Sequence, residues 1–273
     1  MAIVNVTPDS FSDGGRYFEV GPAVDHCLAC LDAGADILDI GGESTRPGAA
    51  RVAAREQIRR TVPVIGQVLA DRPDAVFSID TTLAEVAGAA VDAGAAIVND
   101  VSAGLEDAAL LGLVAQQSCG VILMHRLVPP DEDCYSTQYQ QEPDYGGHVV
   151  TAVGSFLQDR VACAVAAGID ERCIVVDPGL GFGKSVEQNL ELSRRMGEIA
   201  RLSGDRPVLS AASRKSLVGK VSRAGDPEHR LAGTLAVSGQ HYTVQGVRLF
   251  RVHDVSAHRQ LFATLESIGP GAG

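Results

Sequence analysis

The sequence predicts an α/β chain folded as a closed (β/α)8 TIM barrel, and three observations do so. Eight short β-forming apolar runs alternate with amphipathic helical stretches, one helix-to-strand junction recurs after sixty residues, and every predicted strand ends in polar or glycine-rich sequence. Alternation of this kind builds parallel βαβ units, and eight of them close into one barrel, here a single domain over residues 1–273.

Each unit can be taken in order. Strand one, 2–6, runs into Asn5-Val-Thr-Pro-Asp-Ser-Phe-Ser-Asp-Gly-Gly15 and a helix at 21–33. Strand two, 36–40, ends in Gly41-Gly-Glu-Ser-Thr-Arg-Pro-Gly48 before a helix at 54–70. Strand three, 75–79, ends at Asp80, with a helix at 83–93; strand four, 95–99, ends at Asn99-Asp100, with a helix at 108–117. Strand five, 120–124, meets His125, a proline- and acid-rich loop at 126–147, and a helix at 144–167. Strand six, 173–176, leads into Asp177-Pro-Gly-Leu-Gly-Phe-Gly-Lys184 and one helix at 186–202. Strand seven, 207–211, leads into Ser213-Arg-Lys-Ser216, with helices at 214–221 and 228–243. Strand eight, 246–252, ends in Arg251-Val-His-Asp254, with a last helix at 256–267. The repeat pairs Asp32-Ala-Gly-Ala-Asp-Ile-Leu-Asp-Ile40 with Asp92-Ala-Gly-Ala-Ala-Ile-Val-Asn-Asp100, and Ala166-Ala-Gly168 echoes it. A glycine just past a helix supplies the left-handed cap that turns the chain into the next strand.

With 45% hydrophobic and 21% charged residues, the chain buries a sizeable core. A formal charge of -11 lacks the surplus of Lys and Arg that a nucleic-acid binder needs, so any anionic ligand must meet a local basic cluster. The first residues carry no basic, then apolar, leader, and no later apolar run is expected to approach the length of a membrane span; a cytoplasmic protein is expected. Six cysteines are scattered without metal-ligand spacing. Cys27-Leu-Ala-Cys30 matches C-x-x-C, open to a redox or metal reading, but its place in an apolar helical pattern favours packing thiols.

In such a barrel the C-terminal ends of the strands converge on one mouth. Asp and Asn there are costly to bury alone, so several aimed at one cavity need a polar ligand. Asp80, Asn99 and Asp177 can read the donor edge of a flat heterocycle such as an amino-pyrimidinone, because a carboxylate accepts two hydrogen bonds side by side. The bland reading is that Asp80 and Asp100 cap the helices that follow. Lys215, Arg251 and His253, with Arg46, form the local cationic cluster, and Arg251 and His253 share one face of a strand. Guanidinium binds phosphate oxygens in pairs and imidazole can donate to a leaving oxygen, so a diphosphate suits them. Surface ion pairing is the alternative for any one of these cations.

The two loops Asn5 to Gly15 and Gly41 to Gly48 resemble the signature loops of the dihydropteroate synthases. Ser78-Ile-Asp-Thr81, Asn99-Asp100, Met124-His125, Asp177 to Lys184, Ser213 to Ser216 and Arg251-Val-His-Asp-Val255 resemble further motifs of that family, in its order, over residues 1 to about 260. The resemblance implies a transferase of folate biosynthesis that joins 4-aminobenzoate to a dihydropterin pyrophosphate, probed by sulfonamides that compete at Pro47, Phe182 and Ser216. It implies a pterin pocket of Asp80, Asn99, Met124, Asp177, Phe182 and Lys215. Pyrophosphate binding falls to Asn5, Arg251 and His253, with Asn5 also taking Mg²⁺. The 4-aminobenzoate site falls to Arg46, Pro47, Phe182, Lys215 and Ser216, and the closing loops carry Asp9, Phe11, Thr45 and Arg46. The catalytic set it implies is Asp80, Asp177, Lys215, Arg251 and His253, in a homodimer built through outer helices.

Two features depart from the family pattern. Strand one begins almost at Met1, without a lead-in, and the stretch after His125 lacks the commoner glycine-bearing loop. Three rival readings share parts of the pattern. A methyltetrahydrofolate-type pterin barrel leaves the cationic cluster unused, and a phosphate-binding barrel of another pathway leaves the carboxylate set unused. A non-catalytic paralogue has no need of Asn5, Arg46, Lys215, Arg251 and His253 together.

Overall fold

The computed structural model describes residues 1–7 and 20–269. Asp9 and Phe11, assigned to the closing loops, lie outside these described residues. The chain runs β1 (Ala2–Asn5), α1 (Val20–Asp32), β2 (Leu38–Gly41), α2 (Ala54–Asp71), β3 (Phe77–Asp80), α3 (Ala84–Asp92), β4 (Ile97–Asp100), α4 (Leu110–Gln117) and β5 (Gly120–Met124). It continues through α5 (Val149–Ala166), β6 (Ile174–Asp177), α6 (Val186–Arg194), α7 (Met196–Leu202), β7 (Leu209–Ser210), α8 (Ser216–Ser222), α9 (Leu231–Thr243), β8 (Leu249–Phe250) and α10 (Val255–Ile268). All eight predicted strands form, and every pairing is parallel.

Six strands make one sheet in chain order and β7 pairs with β8. Two single bridges, Val176 to Val208 and Ala2 to Val252, close the circle. The seam at Val252 is doubly bonded: Ile3 N donates to Val252 O at 3.0 Å and Val252 N to Met1 O at 3.0 Å. No sheet edge remains open at this level, which is what barrel closure achieves.

Strand alternation sorts the interior into layers. Met1, Ile122 and Leu209 cluster with Ile37, Ile97, Val175 and Leu249 as an apolar plug. Two residues further along the same strands stand Asp39, Asn99, Met124, Asp177 and Arg251, so one period of β structure converts an apolar floor into a polar ceiling. Several strands begin one or two residues later than their apolar runs and extend to include the terminal polar residue. The parallel ladder pairs Gly41 with Asp80 and Met124 with Asp177, so main-chain bonding carries the strand past the point where side-chain propensity ends it.

The recurrent junction behaves as its glycines require. Gly34, Gly94 and Gly168 have φ of 91°, 111° and 102°. Beyond them Ala35, Ala95 and Ile169 N–H groups donate back to Cys30, Ala90 and Ala164 carbonyls, the six-to-one bond of a Schellman cap.

Three expectations change. The helix placed at 144–167 starts at Val149, because Gly146 and Gly147 sit at φ 61° and 76° and hold the preceding turn. The single helix placed at 186–202 breaks at Arg195, whose φ of -127° lies outside the helical range and whose guanidinium bonds Glu191 and Glu198 on either side. And α5 is long and apolar enough to cross a membrane by length and composition, with a mean hydropathy of 1.3, although charged residues interrupt its apolar run. Here it lies on the barrel, burying Val153, Leu157 and Ala164, and Gly154 lets α7 approach so closely that a Cβ there would stand 2.7 Å from Leu202 Cβ. Cys27 and Cys30 are buried, and burial pushes the Cys27 thiol up to about 12, so they are packing thiols.

His241 is fully buried between Ser193 Oγ at 2.6 Å and Ser210 Oγ at 2.9 Å, and burial lowers its pKa to about 4. The folded state therefore holds this imidazole neutral where the unfolded chain takes up a proton. Its contribution is present above the ordinary histidine pKa and is lost as pH falls. We expect the unfolding free energy from urea titrations to drop between about pH 6.5 and about pH 4, by up to about 1.4 kcal/mol per pH unit for this one group, and His241→Gln to flatten that slope.

Candidate active site

At the C-terminal mouth the guanidinium of Arg251 spans two carboxylates. Its Nε donates to Asp39 Oδ2, its Nη2 donates to Asp80 Oδ2 at 2.7 Å, and Asn99 Nδ2 donates to the same Asp39 oxygen at 3.1 Å. β2, β3, β4 and β8 each bring one residue to this group. Asp39 and Asp80 are 0% and 6% exposed, and the second oxygen of each, Oδ1, has no partner among the described residues. A buried unpartnered carboxylate oxygen is a seat for a donor. Burial pushes the Asp80 carboxyl up, and the Arg251 guanidinium opposes that.

Asp80 does not cap α3; that helix takes Leu83 as its first flanking residue, and Thr81 Oγ1 accepts Leu83 N–H. Asp100 does not cap the following helix either, which takes Ala109 as its first flanking residue. The Asp100 carboxylate accepts the Ser102 and Gly104 N–H groups and turns its own loop. Asp39 was absent from the sequence-predicted set, although a signal was there: in the sixty-residue echo it occupies the register of Asn99.

Asp177 Oδ1 accepts Gly179 N–H at 2.7 Å. Burial pushes this carboxyl up, and Lys215 opposes it. Lys215 Nζ donates to Leu180 O and lies 4.6 Å over the Phe182 ring; burial lowers its pKa to about 8. Phe182 packs with Met124 and Val101 in a small buried apolar cluster. A flat ring entering here meets carboxylates at its edge and these three side chains on its faces.

The loop that aims Asp177 and Phe182 requires its glycines. Gly179, Gly181 and Gly183 have φ of 67°, 84° and 63°, and a Cβ on Gly179 would stand 1.9 Å from His125 O. Lys184, whose role sequence reasoning missed, is fully buried beneath the loop. Its Nζ meets Phe182 O at 2.8 Å, Gly179 O at 3.0 Å, His125 Nδ1 at 3.0 Å and, more distantly, His125 O at 3.4 Å, while burial lowers its pKa to about 7. His125 is accordingly a support for Lys184, held neutral by burial at about 2. Residues 126–147, expected as a long loop, brace the same glycines: Asp133 Oδ2 accepts Gly183 N–H and Tyr145 Oη donates to Gly183 O.

Above lies a cavity of about 300 Å3 lined by Asn5, Thr45, Arg46, Pro47, Phe182, Ser213, Lys215, Ser216, Arg251 and His253, with Tyr135 and Arg230 on its rim. The structure thus gathers the predicted mouth residues, while Asp80, Asn99, Met124 and Asp177 sit below, joined to them through Arg251, Lys215 and Phe182. His253 Nδ1 lies 3.0 Å from Ser213 Oγ, and burial lowers its pKa to about 3. Arg214, at φ 58°, also lines the cavity and pairs two-pronged with Asp254. The β2 loop is tied down through Gly48 N–H to Pro130 O at 2.8 Å and Arg51 to Glu106.

Residues 1–253 match the family described as pterin binding enzyme. The dihydropteroate synthase of Streptococcus pyogenes is 40% identical over 268 residues, which is 98% of this chain and 94% of that one. Among solved structures, dihydropteroate synthase of Xanthomonas albilineans with 4-aminobenzoic acid has a TM-score of 0.88 at 41% identity, covering 99% of this chain and 92% of that one. The same enzyme in complex with 7,8-dihydropteroate has a TM-score of 0.84 at 38% identity, over 99% and 93% of the two chains.

Removing one partner of a buried ion pair leaves the other charge uncompensated. Asp39→Ala is expected to lower the unfolding free energy by about 3 kcal/mol or more in urea titrations, because Arg251 then keeps only Asp80. A variant as stable as the parent would show that Arg251 repairs the loss elsewhere.

Proposed function

This chain belongs to the family of pterin-binding enzymes, and from that premise we propose how its residues perform the family's condensation. It is a dihydropteroate synthase, a transferase that joins 6-hydroxymethyl-7,8-dihydropterin pyrophosphate and 4-aminobenzoate into 7,8-dihydropteroate and releases pyrophosphate. One observation carries the assignment of roles: unpartnered buried carboxylate oxygens lie directly beneath a mouth lined by Asn5, Lys215, Arg251 and His253.

Asp80, Asn99 and Asp177 take the N–H edge of the pterin, Lys215 meets its carbonyl oxygen, and Met124 and Phe182 cover its faces. The diphosphate then lies toward Asn5, Arg251 and His253. 4-Aminobenzoate enters last in space, nearest solvent, against Arg46, Pro47, Phe182, Lys215 and Ser216; sulfonamides compete there.

The reaction is a substitution at the pterin methylene carbon. The C–O bond to diphosphate breaks, the arylamine nitrogen supplies the pair for the new C–N bond, and that nitrogen then gives up one proton to the released diphosphate or water. The ring donates electrons to the departing methylene, so positive charge develops over Asp80 and Asp177 while negative charge develops on the leaving oxygen beside Arg251 and His253. His253 acts there as a neutral donor, since burial keeps it uncharged. The β2 loop, carrying Thr45 and Arg46, keeps water from the cation.

Magnesium fits only in company with the substrate. Among the described residues no three His, Cys, Asp or Glu side chains gather as ligands, and Asn5 offers one neutral oxygen at the cavity. Mg²⁺ is commonly held through a protein ligand or two together with substrate phosphates and water. Asn5 would hold such an ion, which when bound supplies charge neutralisation to the leaving diphosphate. We also take the enzyme to be a cytoplasmic homodimer paired through outer helices, a reading that rests on the family resemblance.

An assay with both substrates and Mg²⁺ is expected to give dihydropteroate and pyrophosphate in equal amounts; pyrophosphate alone would mean a broken aminobenzoate site. Arg251→Ala, destabilised because it strands Asp39 and Asp80, and Asp80→Asn should each, in the folded fraction, reduce turnover about 10²–10³-fold, and a near-native rate in either folded variant would remove that residue from the mechanism. Lys215 must be an ammonium to meet the pterin carbonyl, and its pKa is about 8. kcat/KM for the pterin substrate is therefore expected to fall above about pH 8, and Lys215→Arg, if active, to move that fall to higher pH.

A further inference from the structure

Ser213 stands behind His253 and touches it twice. Its Oγ accepts the His253 backbone N–H at 3.2 Å and lies 3.0 Å from the ring Nδ1 of the same residue. The side chain is nearly sealed, with 7% exposure, and belongs to the loop after β7 that also carries Lys215 and Ser216. This contact plays no part in the roles given above.

Counting hydrogens decides what the contact means. A serine hydroxyl has one hydrogen and two lone pairs, and a neutral imidazole has one N–H and one lone pair. One Ser213 lone pair is taken by the backbone N–H. Among the described residues, Nδ1 is the only acceptor within hydrogen-bond reach of the hydroxyl hydrogen. With Oγ–H donating to Nδ1, both groups are satisfied. The reverse, Nδ1–H donating to Oγ, leaves the hydroxyl hydrogen without an acceptor among the described residues. The ring itself has little tendency to take a second proton, being half-buried with Arg214 and Arg251 nearby.

The two tautomers differ in what they offer a leaving anion. With Nδ1 occupied as an acceptor, the proton sits on Nε2, which has no hydrogen bond among the described residues, on a ring that lines the cavity. The other tautomer would present an Nε2 lone pair to the departing diphosphate, an unfavourable contact. We propose that Ser213 is a positioning residue that fixes His253 in its Nε2–H tautomer, so that a neutral imidazole presents an N–H to the diphosphate oxygens. This deepens the function proposed above and rests on His253 facing the leaving group.

The test is the tautomer itself, read by nitrogen NMR on protein with labelled histidines. The seven histidine signals are sorted by loss of one in His253→Gln. In the parent, His253 is expected to show a protonated Nε2 and an unprotonated Nδ1. Ser213→Ala should bring a mixture of tautomers or the reversed one, lower kcat about tenfold, and leave KM for 4-aminobenzoate within about twofold; Ser213→Thr, which keeps the hydroxyl, should restore both readouts. A parent with the proton on Nδ1, or a folded Ser213→Ala with unchanged tautomer and kcat, overturns the proposal. If Ser213→Ala does not fold, the parent spectrum and the Thr variant still decide it. A parent that makes no dihydropteroate would refute the functional reading instead, and the tautomer would still be measured independently.

Discussion

The arginine of β8 buried between two aspartates is the interaction on which the site depends. A guanidinium inside a barrel is tolerable only if paired, and Arg251 is paired twice, with Asp39 on β2 and Asp80 on β3. Because Asn99 on β4 also bonds Asp39, four strands on one side of the barrel are held in relative position by charge rather than by shape. The layer below makes this possible. The apolar plug around Ile122 and Leu209 shuts water out from underneath, so the pairs above it act in a medium less polar than water and hold their geometry.

The opposite wall is built on a different principle. There the chain must approach itself too closely for side chains, and the three glycines of the loop after β6 permit it. Lys184 then gathers the carbonyls that such a loop exposes, with His125 as a third acceptor. The residues after β5 complete the support through Asp133 and Tyr145, so a segment that departs from the family pattern in sequence still meets the loop at Gly183. Asp177 and Phe182 are thus oriented by backbone, and Asp39, Asp80 and Arg251 by one another.

How far this was legible in the sequence follows from which of those principles applies. Period-two alternation and strand-end polarity are local, so the eight strands, the mouth and most of its residues could be read directly. Asp39 was not, because it precedes the motif that draws the eye and sits inside an apolar run, where an acidic residue looks like a strand interruption rather than a ligand. Its partner is 212 residues away, and no local pattern reports that. Lys184 failed for the same reason in reverse: a lysine at a loop end reads as solvent-facing, and only the fold shows it buried. The break at Arg195 has only Gly197 beside it, a weak signal inside an otherwise helical pattern.

Electrostatics resolves what first looks like a contradiction, an acidic protein built to receive a diphosphate and a carboxylate. At physiological salt, fields decay over about 8 Å, so most of the net charge of -11 is not felt in the cavity. What is felt is local, and locally the cations come with partners: Arg251 with Asp39 and Asp80, Arg214 with Asp254, Lys215 near Asp177. Paired charges cost less to hold in the absence of ligand, yet each remains a donor when an anion arrives. Arg46 differs, being exposed with no side-chain ion pair among the described residues, so it adds net positive charge at the rim. The deep site is therefore kept balanced and rigid while the rim supplies the attraction, which separates holding the pterin from drawing in the anions.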